Sequence, residues 1–287
     1  MKIPPAIKHN LKSARYQGRR WATSLRYGPG SLDKLPAVLG NAMPKSGSHL
    51  IIQVLQGLTL IGPFVNPGYP PVNRGEDNRK LSDQQVLDNI LRMQPGEIGY
   101  GYISAMEPFL SALTQPGRAT IFVYRDPRDM IISHVFYATQ MHTGHWMHSY
   151  YTEKLNTMEE RIQAAIQGVQ EPGSELTPIR QRYEGYLGWL EQPQVLSLRF
   201  EELILERELA FGRLLDYLAS FGFTPRLPRK EALATLQEAI APRKSGTFRK
   251  GKPGNWREHF TPPNINAFKE ATGDLLVRLG YETSEDW

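Results

Sequence analysis

Residues 40–50 read GNAMPKSGSHL, and four of them have the chemistry of an anion site. Lys45 carries a mobile positive charge, Ser46 and Ser48 offer hydroxyl donors, and Gly47 lets the backbone come close to a ligand. The stretch is not a nucleotide-triphosphate loop of the form G-x-x-x-x-G-K-[ST]. Gly40 stands one residue too near the lysine, and Pro44 occupies the place of the second glycine. An apolar run precedes the turn and an amphipathic one follows, so its residues arrive at the start of a helix. The unpaired N–H groups there attract anions. A capped helix start with an incidental lysine is the competing reading.

Two later stretches have related chemistry. In VYRDPRDMIISHVFY (123–137), Arg125 closes an apolar run and Asp126–Pro127 opens a helix. Ser133 follows Arg125 by eight residues, just over two helical turns, so a guanidinium and a hydroxyl can converge on one phosphate. Taken alone, Arg125–Asp126 is equally a capping ion pair. In FRKGKPGNWREHFT (248–261), Arg249 and Lys250 precede Gly251 and Gly254, with aromatic residues after them. A basic loop closing over a polyanion has this composition, as does an exposed basic loop pinned by Trp256 and Phe260.

These stretches need elements to position them. LPAVLGNAM (35–43) is short and apolar, which predicts a buried strand. From Gly47 to Gly62 the pattern predicts a helix, with Leu50, Val54, Leu55 and Leu58 on one stripe. EIGYGYI (97–103), RATIFVYR (118–125) and QVLSLRF (194–200) predict further strands. Helices are expected after Ser82, over EPFLSAL, and from Asp129 to about Gly168 with a break near Gly144. YEGYLGWLEQ leads into the last of these strands, further helices are expected at LAFGRLLDYLASFG and KEALATLQEAIA, and NINAFKEATGDLLVRLGY closes the chain. Strands alternating with helices imply right-handed crossovers and an α/β fold with a central, mostly parallel sheet. Ligands in such sheets bind beyond the carboxyl ends of the strands, where the first two stretches fall.

Composition removes several classes of function. With 287 residues and 40% hydrophobic content, the chain can bury a sizeable core in one or two domains. The longest apolar run, LIIQVLQGLTLIG (50–62), is too short for a membrane span and carries two glutamines. No secretory leader is expected, because the N-terminus has no continuous apolar core. The absence of cysteine excludes disulfides, thiolate zinc sites and thiol nucleophiles, and a cytoplasmic location is expected.

The net charge of +5 is unevenly placed. Residues 1–36 hold Lys2, Lys8, Lys12, Arg15, Arg19, Arg20, Arg26 and Lys34 against Asp33 alone, a balance of +7 that leaves −2 for the rest. The leader, residues 1–35, also carries Trp21, Leu25 and Tyr27. It is either a solvated arm packed across a domain formed by residues 36–287, or a segment with weak affinity for an anionic membrane or carrier surface. A nucleic-acid partner is not expected, because only the leader is strongly basic. His142, His145 and His148 recur every third residue in MHTGHWMHSYY. The glycine and aromatics among them point to a lid or acceptor-pocket loop rather than a zinc site.

Together the three stretches resemble the sulfotransferase family, enzymes that use 3′-phosphoadenosine 5′-phosphosulfate (PAPS). The family signature runs P-K-S-G-[ST], then R-x-x-x-x-x-x-x-S, then R-K-G-x-x-G-[DN]-W, and all three occur here in that order. The resemblance covers most of residues 36–285 and implies a single α/β domain of P-loop-like sulfotransferase fold. It implies that Lys45, Ser46, Gly47, Ser48 and His49 grip the 5′-phosphosulfate. It further implies that Arg125, Ser133, Arg249, Lys250 and Gly251 hold the 3′-phosphate. The implied reaction is sulfuryl transfer to a hydroxyl of a small phenolic or lipophilic acceptor, with 3′-phosphoadenosine 5′-phosphate (PAP) as product and no metal. Lys45 would neutralise the bridging oxygen as the phosphate leaves.

The chain also departs from the family pattern. A general-base histidine commonly follows the strand that here reads EIGYGYI, and the matching residue is Tyr102. A phenol is a poor base near neutrality unless a cation lies beside it, and Lys45 is the cation available. His49 and then Glu107 are further candidates, and an acidic acceptor would need little help. The catalytic set is therefore Lys45, Tyr102, His49 and Ser133. Leu50 and Phe200 stand where family members often carry a tryptophan and a tyrosine near the adenine. Phe200 can stack on a base but cannot donate a hydrogen bond. The C-terminal K-x-x-x-T-V-x-x-x-E dimer motif is missing, so no oligomeric state is implied. If Tyr102 cannot act as a base, the chain is instead a catalytically silent binder of PAP or PAPS. Loops 62–80 and 137–156 are expected to line the acceptor pocket, with Phe64, Tyr69, Phe136, Tyr137 and Trp146 as walls.

Overall fold

The computed structural model describes residues 5–241 and 251–287, so Arg249 and Lys250 lie outside the described residues. The chain forms two compact units, Met1–Tyr124 with Gly188–Lys244, and Arg125–Leu187 with Ser245–Trp287. In chain order the elements begin α1 (Pro5–Tyr27), β1 (Ala37–Ala42), α2 (Ser48–Ile61), α3 (Asp83–Leu91), β2 (Ile98–Gly101), α4 (Phe109–Thr114) and β3 (Arg118–Tyr124). Then come α5 (Pro127–Phe136), α6 (Met158–Gln167), α7 (Ile179–Leu187), β4 (Val195–Arg199) and α8 (Phe200–Leu205). The last are α9 (Arg207–Ala219), α10 (Arg229–Ala239), α11 (Pro262–Thr272) and α12 (Leu275–Arg278).

The first unit is built on four parallel strands in the order β2-β1-β3-β4. This is the α/β class with a parallel sheet that the sequence predicts, and each strand lies where an apolar run predicts one. β1 and β3 are central and buried almost throughout, which is why they read as unbroken apolar runs. From β1 the chain goes to β2 on one side, and β3 pairs on the other. That reversal marks the switch point where such sheets hold ligands, and the residues after β1 are those of the PKSGS turn. α2 lies close on β1 because Gly40 has no side chain; a Cβ there would stand 2.7 Å from Ile51 and 2.9 Å from Leu55. Gly40 therefore serves packing, not phosphate. Ile51, Val54, Leu58 and Ile61 then join Phe211, Leu214 and Leu236 in the core.

The leader folds as α1, held along the first unit by one face. Tyr16 is 2% exposed and donates to Glu97 at 2.7 Å, while Lys12 pairs with Glu76 at 2.7 Å. Arg19 and Arg20 donate to the carbonyls of Asn66 and Pro95 at 2.6 and 2.8 Å.

The second unit is helical. The helix expected from Asp129 to about Gly168 has its expected break around Gly144, over residues 142–147, and a second, unexpected one at 155–157. It comprises α5, two π-helical turns at Tyr137–Met141 and Tyr150–Lys154, and α6. The chain restarts at α6 because Thr157 and Glu160 form a reciprocal capping box. The closing helix is likewise split into α11 and α12 by Gly273, at φ 51°.

Candidate functional site

The turn between β1 and α2 holds a conformation that side chains rarely adopt. Lys45 has φ 65° and Gly47 has φ 100°, both left-handed. For a non-glycine residue such a conformation costs about 1–3 kcal/mol, and it persists where a site needs the shape. The turn buries Ser46 fully, and its Oγ has no hydrogen-bond partner among the described residues. Satisfying a buried hydroxyl of this kind is worth about 1–3 kcal/mol. Gly47 is the N-cap of α2, and among the described residues no side chain caps that helix start. The positive end of a 14-residue helix is thus left to the turn. A Cβ at position 47 would lie 2.6 Å from the Phe200 ring, which is 7% exposed and belongs to the core around the sheet. Phe200 therefore braces the turn. Lys45 is half-buried and His49 faces solvent. Partial burial first, and the Lys45 charge second, hold the His49 imidazole below its usual range.

Tyr102 follows β2, and the backbone around it is clamped. Asn41, fully buried near the end of β1, donates to the Ile103 carbonyl at 2.9 Å and accepts from the Ile103 N–H at 2.8 Å. The Trp189 indole adds a donor to the same carbonyl at 2.8 Å. Asn73 pairs with the backbone of Tyr102 itself, at 3.3 and 3.4 Å. The neighbouring Tyr100 is pushed up, by burial first and by Tyr102 second. Glu107 is exposed and occupied locally, accepting from the N–H and hydroxyl of Ser111 at 3.4 and 2.8 Å.

Beside β2 lies a cavity of about 510 Å³ whose walls include His9, Ile52, Tyr69, Arg92 and Tyr100. Loop 62–80 contributes residues from Asn66 to Glu76 to those walls. Phe64, expected there, is instead a core residue, 2% exposed and edge-on to Phe223 at 4.9 Å.

In the second unit Arg125 is 9% exposed, and its carbonyl accepts from the Tyr183 hydroxyl at 2.8 Å. Asp126 caps α5 through the Arg128 N–H and holds the Arg128 guanidinium at 2.7 Å. Arg125 has an ion-pair partner one turn on, Asp129, at 3.8 Å. Asp129 is 1% exposed and accepts from the N–H groups of Gly254 and Trp256 at 2.7 and 2.8 Å. One carboxylate thus ties the second stretch to the third. Ser133 lies one further turn along α5 and is half-buried. Gly251 opens the described part of the third stretch at φ 58°. Asn255 is 2% exposed, and neither amide atom has a partner among the described residues.

A family model described as the sulfotransferase domain matches residues 36–280. The chain belongs to the sulfotransferase family. This sulfotransferase is similar to the 3-alpha-hydroxysteroid sulfotransferase of Cavia porcellus, 26% identical over 176 residues. The match spans 56% of this chain and 56% of that relative, just over half its length. The fold is shared with the crystal structure of mouse sulfotransferase SULT7A1 complexed with PAP, at 16% identity, 88% coverage of each chain and a TM-score of 0.60. It is shared too with retinol dehydratase in a complex with retinol and PAP, at 15% identity, 86% of this chain, 84% of that chain and a TM-score of 0.55.

Three residues that hold the backbone at Ile103 and at Gly254–Trp256, namely Asp129, Asn41 and Trp189, were not expected from the sequence. Asp129 had a signal, a second acidic residue four places after Arg125 in an apolar helix. Asn41 had a weaker one, as the sole amide within a strand of apolar and small residues. Trp189 had none. In the histidine stretch, His145 stacks on the 55% exposed Trp146 at 3.9 Å, and His148 Nδ1 lies 2.7 Å from the Ala138 carbonyl. Phe136 and Tyr137 pack on His259 and His142 at 5.1 and 5.5 Å.

Proposed function

We propose that this sulfotransferase moves the sulfuryl group of PAPS to a hydroxyl of a small phenolic or lipophilic acceptor. The observation that carries this reading is the Lys45–Ser48 turn, left-handed at two positions, with a buried Ser46 hydroxyl and a helix start that have no side-chain partner among the described residues. A sulfuryl-phosphate group supplies what those donors lack, so the residues fit it. Lys45, Ser46, Gly47, Ser48 and His49 would hold the 5′-phosphosulfate. Arg125, Ser133 and Gly251 would serve the 3′-phosphate, together with Arg249 and Lys250. PAPS, when bound, supplies the sulfuryl group and a phosphate leaving group.

The chain's own residues do the rest by charge and position. Lys45 offsets charge on the departing oxygen, while the helix-start N–H groups and the Ser46 and Ser48 hydroxyls orient the peripheral oxygens. The acceptor hydroxyl must lose its proton. His49 has an imidazole nitrogen that can accept it, with a basicity that burial and Lys45 lower. Tyr102 can do so only when ionised, and otherwise orients the acceptor by hydrogen bonding. The cavity beside β2, at about 510 Å³, is of a size to receive a small molecule, but Lys45, His49 and Tyr102 are not among its lining residues, so it is not assigned to the acceptor. The scheme uses no metal.

Calorimetric titration with PAP, run beside AMP and ATP, tests the reading. Binding that depends on the 3′-phosphate, followed by PAP release from PAPS with phenols or alcohols, is the expected result. Failure to bind PAP would sink it. A second reading, a silent binder of PAP or PAPS, is favoured by Tyr102 standing at the usual base position. PAP binding without turnover, together with activity gained in Tyr102→His, would decide for it.

A further inference from the structure

Helix α1 takes no part in the proposed reaction, though its His9 lines the cavity beside β2, and its outer face is unusual. It contains no Asp or Glu from Pro5 to Tyr27. Ile7, Leu11, Ala14, Gly18, Trp21 and Leu25 recur at alternating steps of four and three, so they form one continuous row. The row points away from the unit that Tyr16 binds: Ile7 is 52% exposed, Leu11 49%, Trp21 69% and Leu25 66%. One residue after members of that row come Lys8, Arg15, Arg19 and Arg26, all exposed, as a basic row running alongside. Lys8 and Arg19 also contact Glu76 and the Asn66 carbonyl, which keeps that row in place.

The pairing of the two rows narrows the partner. A second copy of α1 would bring two basic rows together with no Asp or Glu between them, and a nucleic acid has no use for a row of leucine, isoleucine and tryptophan. An anionic bilayer answers both: apolar side chains enter the acyl boundary, tryptophan sits at headgroup level, and Arg and Lys stems reach lipid phosphates. We propose that α1 docks this protein on an anionic lipid surface, lying in the bilayer plane on its Ile7–Leu25 row. This stands apart from the sulfuryl-transfer reading and is measured without it.

The test is partition of the full chain onto vesicles of phosphatidylcholine alone and of phosphatidylcholine mixed with phosphatidylglycerol. Binding to the mixed vesicles that weakens with salt is expected, with a blue shift of tryptophan fluorescence that disappears in Trp21→Phe. Arg15→Gln and Arg26→Gln should each weaken partition about fivefold. Trp21→Glu with Leu25→Glu should weaken it at least about tenfold. These four side chains are exposed, so circular dichroism and melting should match the parent. No partition onto mixed vesicles would overturn the proposal. So would partition indifferent to Trp21→Glu and Leu25→Glu, which would mean charge attraction alone. A dimer in sedimentation that Trp21→Glu dissolves, without vesicle binding, would assign the row to a second copy and also overturn it.

Discussion

Gly47 combines two requirements that only glycine meets. Its φ of 100° is left-handed, and the Phe200 ring leaves no room for a Cβ. Gly47→Ala should therefore deform the turn rather than the sheet. The expected result is PAP affinity reduced about tenfold or more, with stability lowered by about 1–3 kcal/mol in chemical denaturation. Unchanged PAP affinity in a folded variant would remove the turn from the site. Lys45→Ala should lower kcat more than PAP affinity, because its charge is needed most as charge develops on the leaving oxygen. Equal losses would make it an anchor only. These residues were legible because a phosphate turn is local: spacing and type suffice. Asn41 and Trp189 were not, because they act on Ile103, separated from them by 62 and 86 residues.

At the scale of elements, α5 and the segment after Gly251 are joined through Asp129. Its two backbone acceptances are charge-assisted, that from Trp256 buried and that from Gly254 part-buried, and they fix the backbone at Gly254–Trp256. Asp129→Ala leaves two N–H groups and the Arg125 charge with less than they need, so a loss of about 3 kcal/mol is expected. Asp129→Asn keeps one acceptor oxygen and should lose about half as much. Denaturation midpoints of the two variants check the ranking, and equal stability of all three proteins would refute it. The strands were the most legible elements, since central parallel strands must be apolar on both faces. The break near Gly144 was legible from the glycine itself. The second break, at 155–157, was not, because the π-helical turns keep apolar residues at near-helical spacing through Tyr137 and Tyr151. The Thr157–Glu160 box was the available sign of a new start. Gly273 likewise lay within an unbroken apolar period, and only its φ shows the stop.

Across the whole molecule, Glu97 couples the leader to the sheet. It is 6% exposed and accepts from the Tyr16 hydroxyl and the Gln94 N–H at 2.7 and 3.1 Å. Burial outweighs these bonds and raises its pKa above 4.5. A raised carboxyl contributes stability that is complete below the unfolded value and is lost as pH rises through the folded one. Measured against Glu97→Gln, the parent should therefore gain melting temperature as pH falls from 7 towards 4. A difference independent of pH would show that Glu97 is not the coupled group. The division of the chain has a consequence of another kind. β3 ends at Tyr124, but its partner β4 begins only at Val195, after Arg125–Leu187 has gone into the other unit. A ribosome therefore finishes an apolar strand well before it makes the strand that covers its edge. For that interval the nascent chain carries an open, β-rich border, the kind of surface on which chains stick to one another. Closing so distant a pair is also entropically slow. The yield of this protein in a cell then depends on what shields β3 while residues 125–194 are still being made.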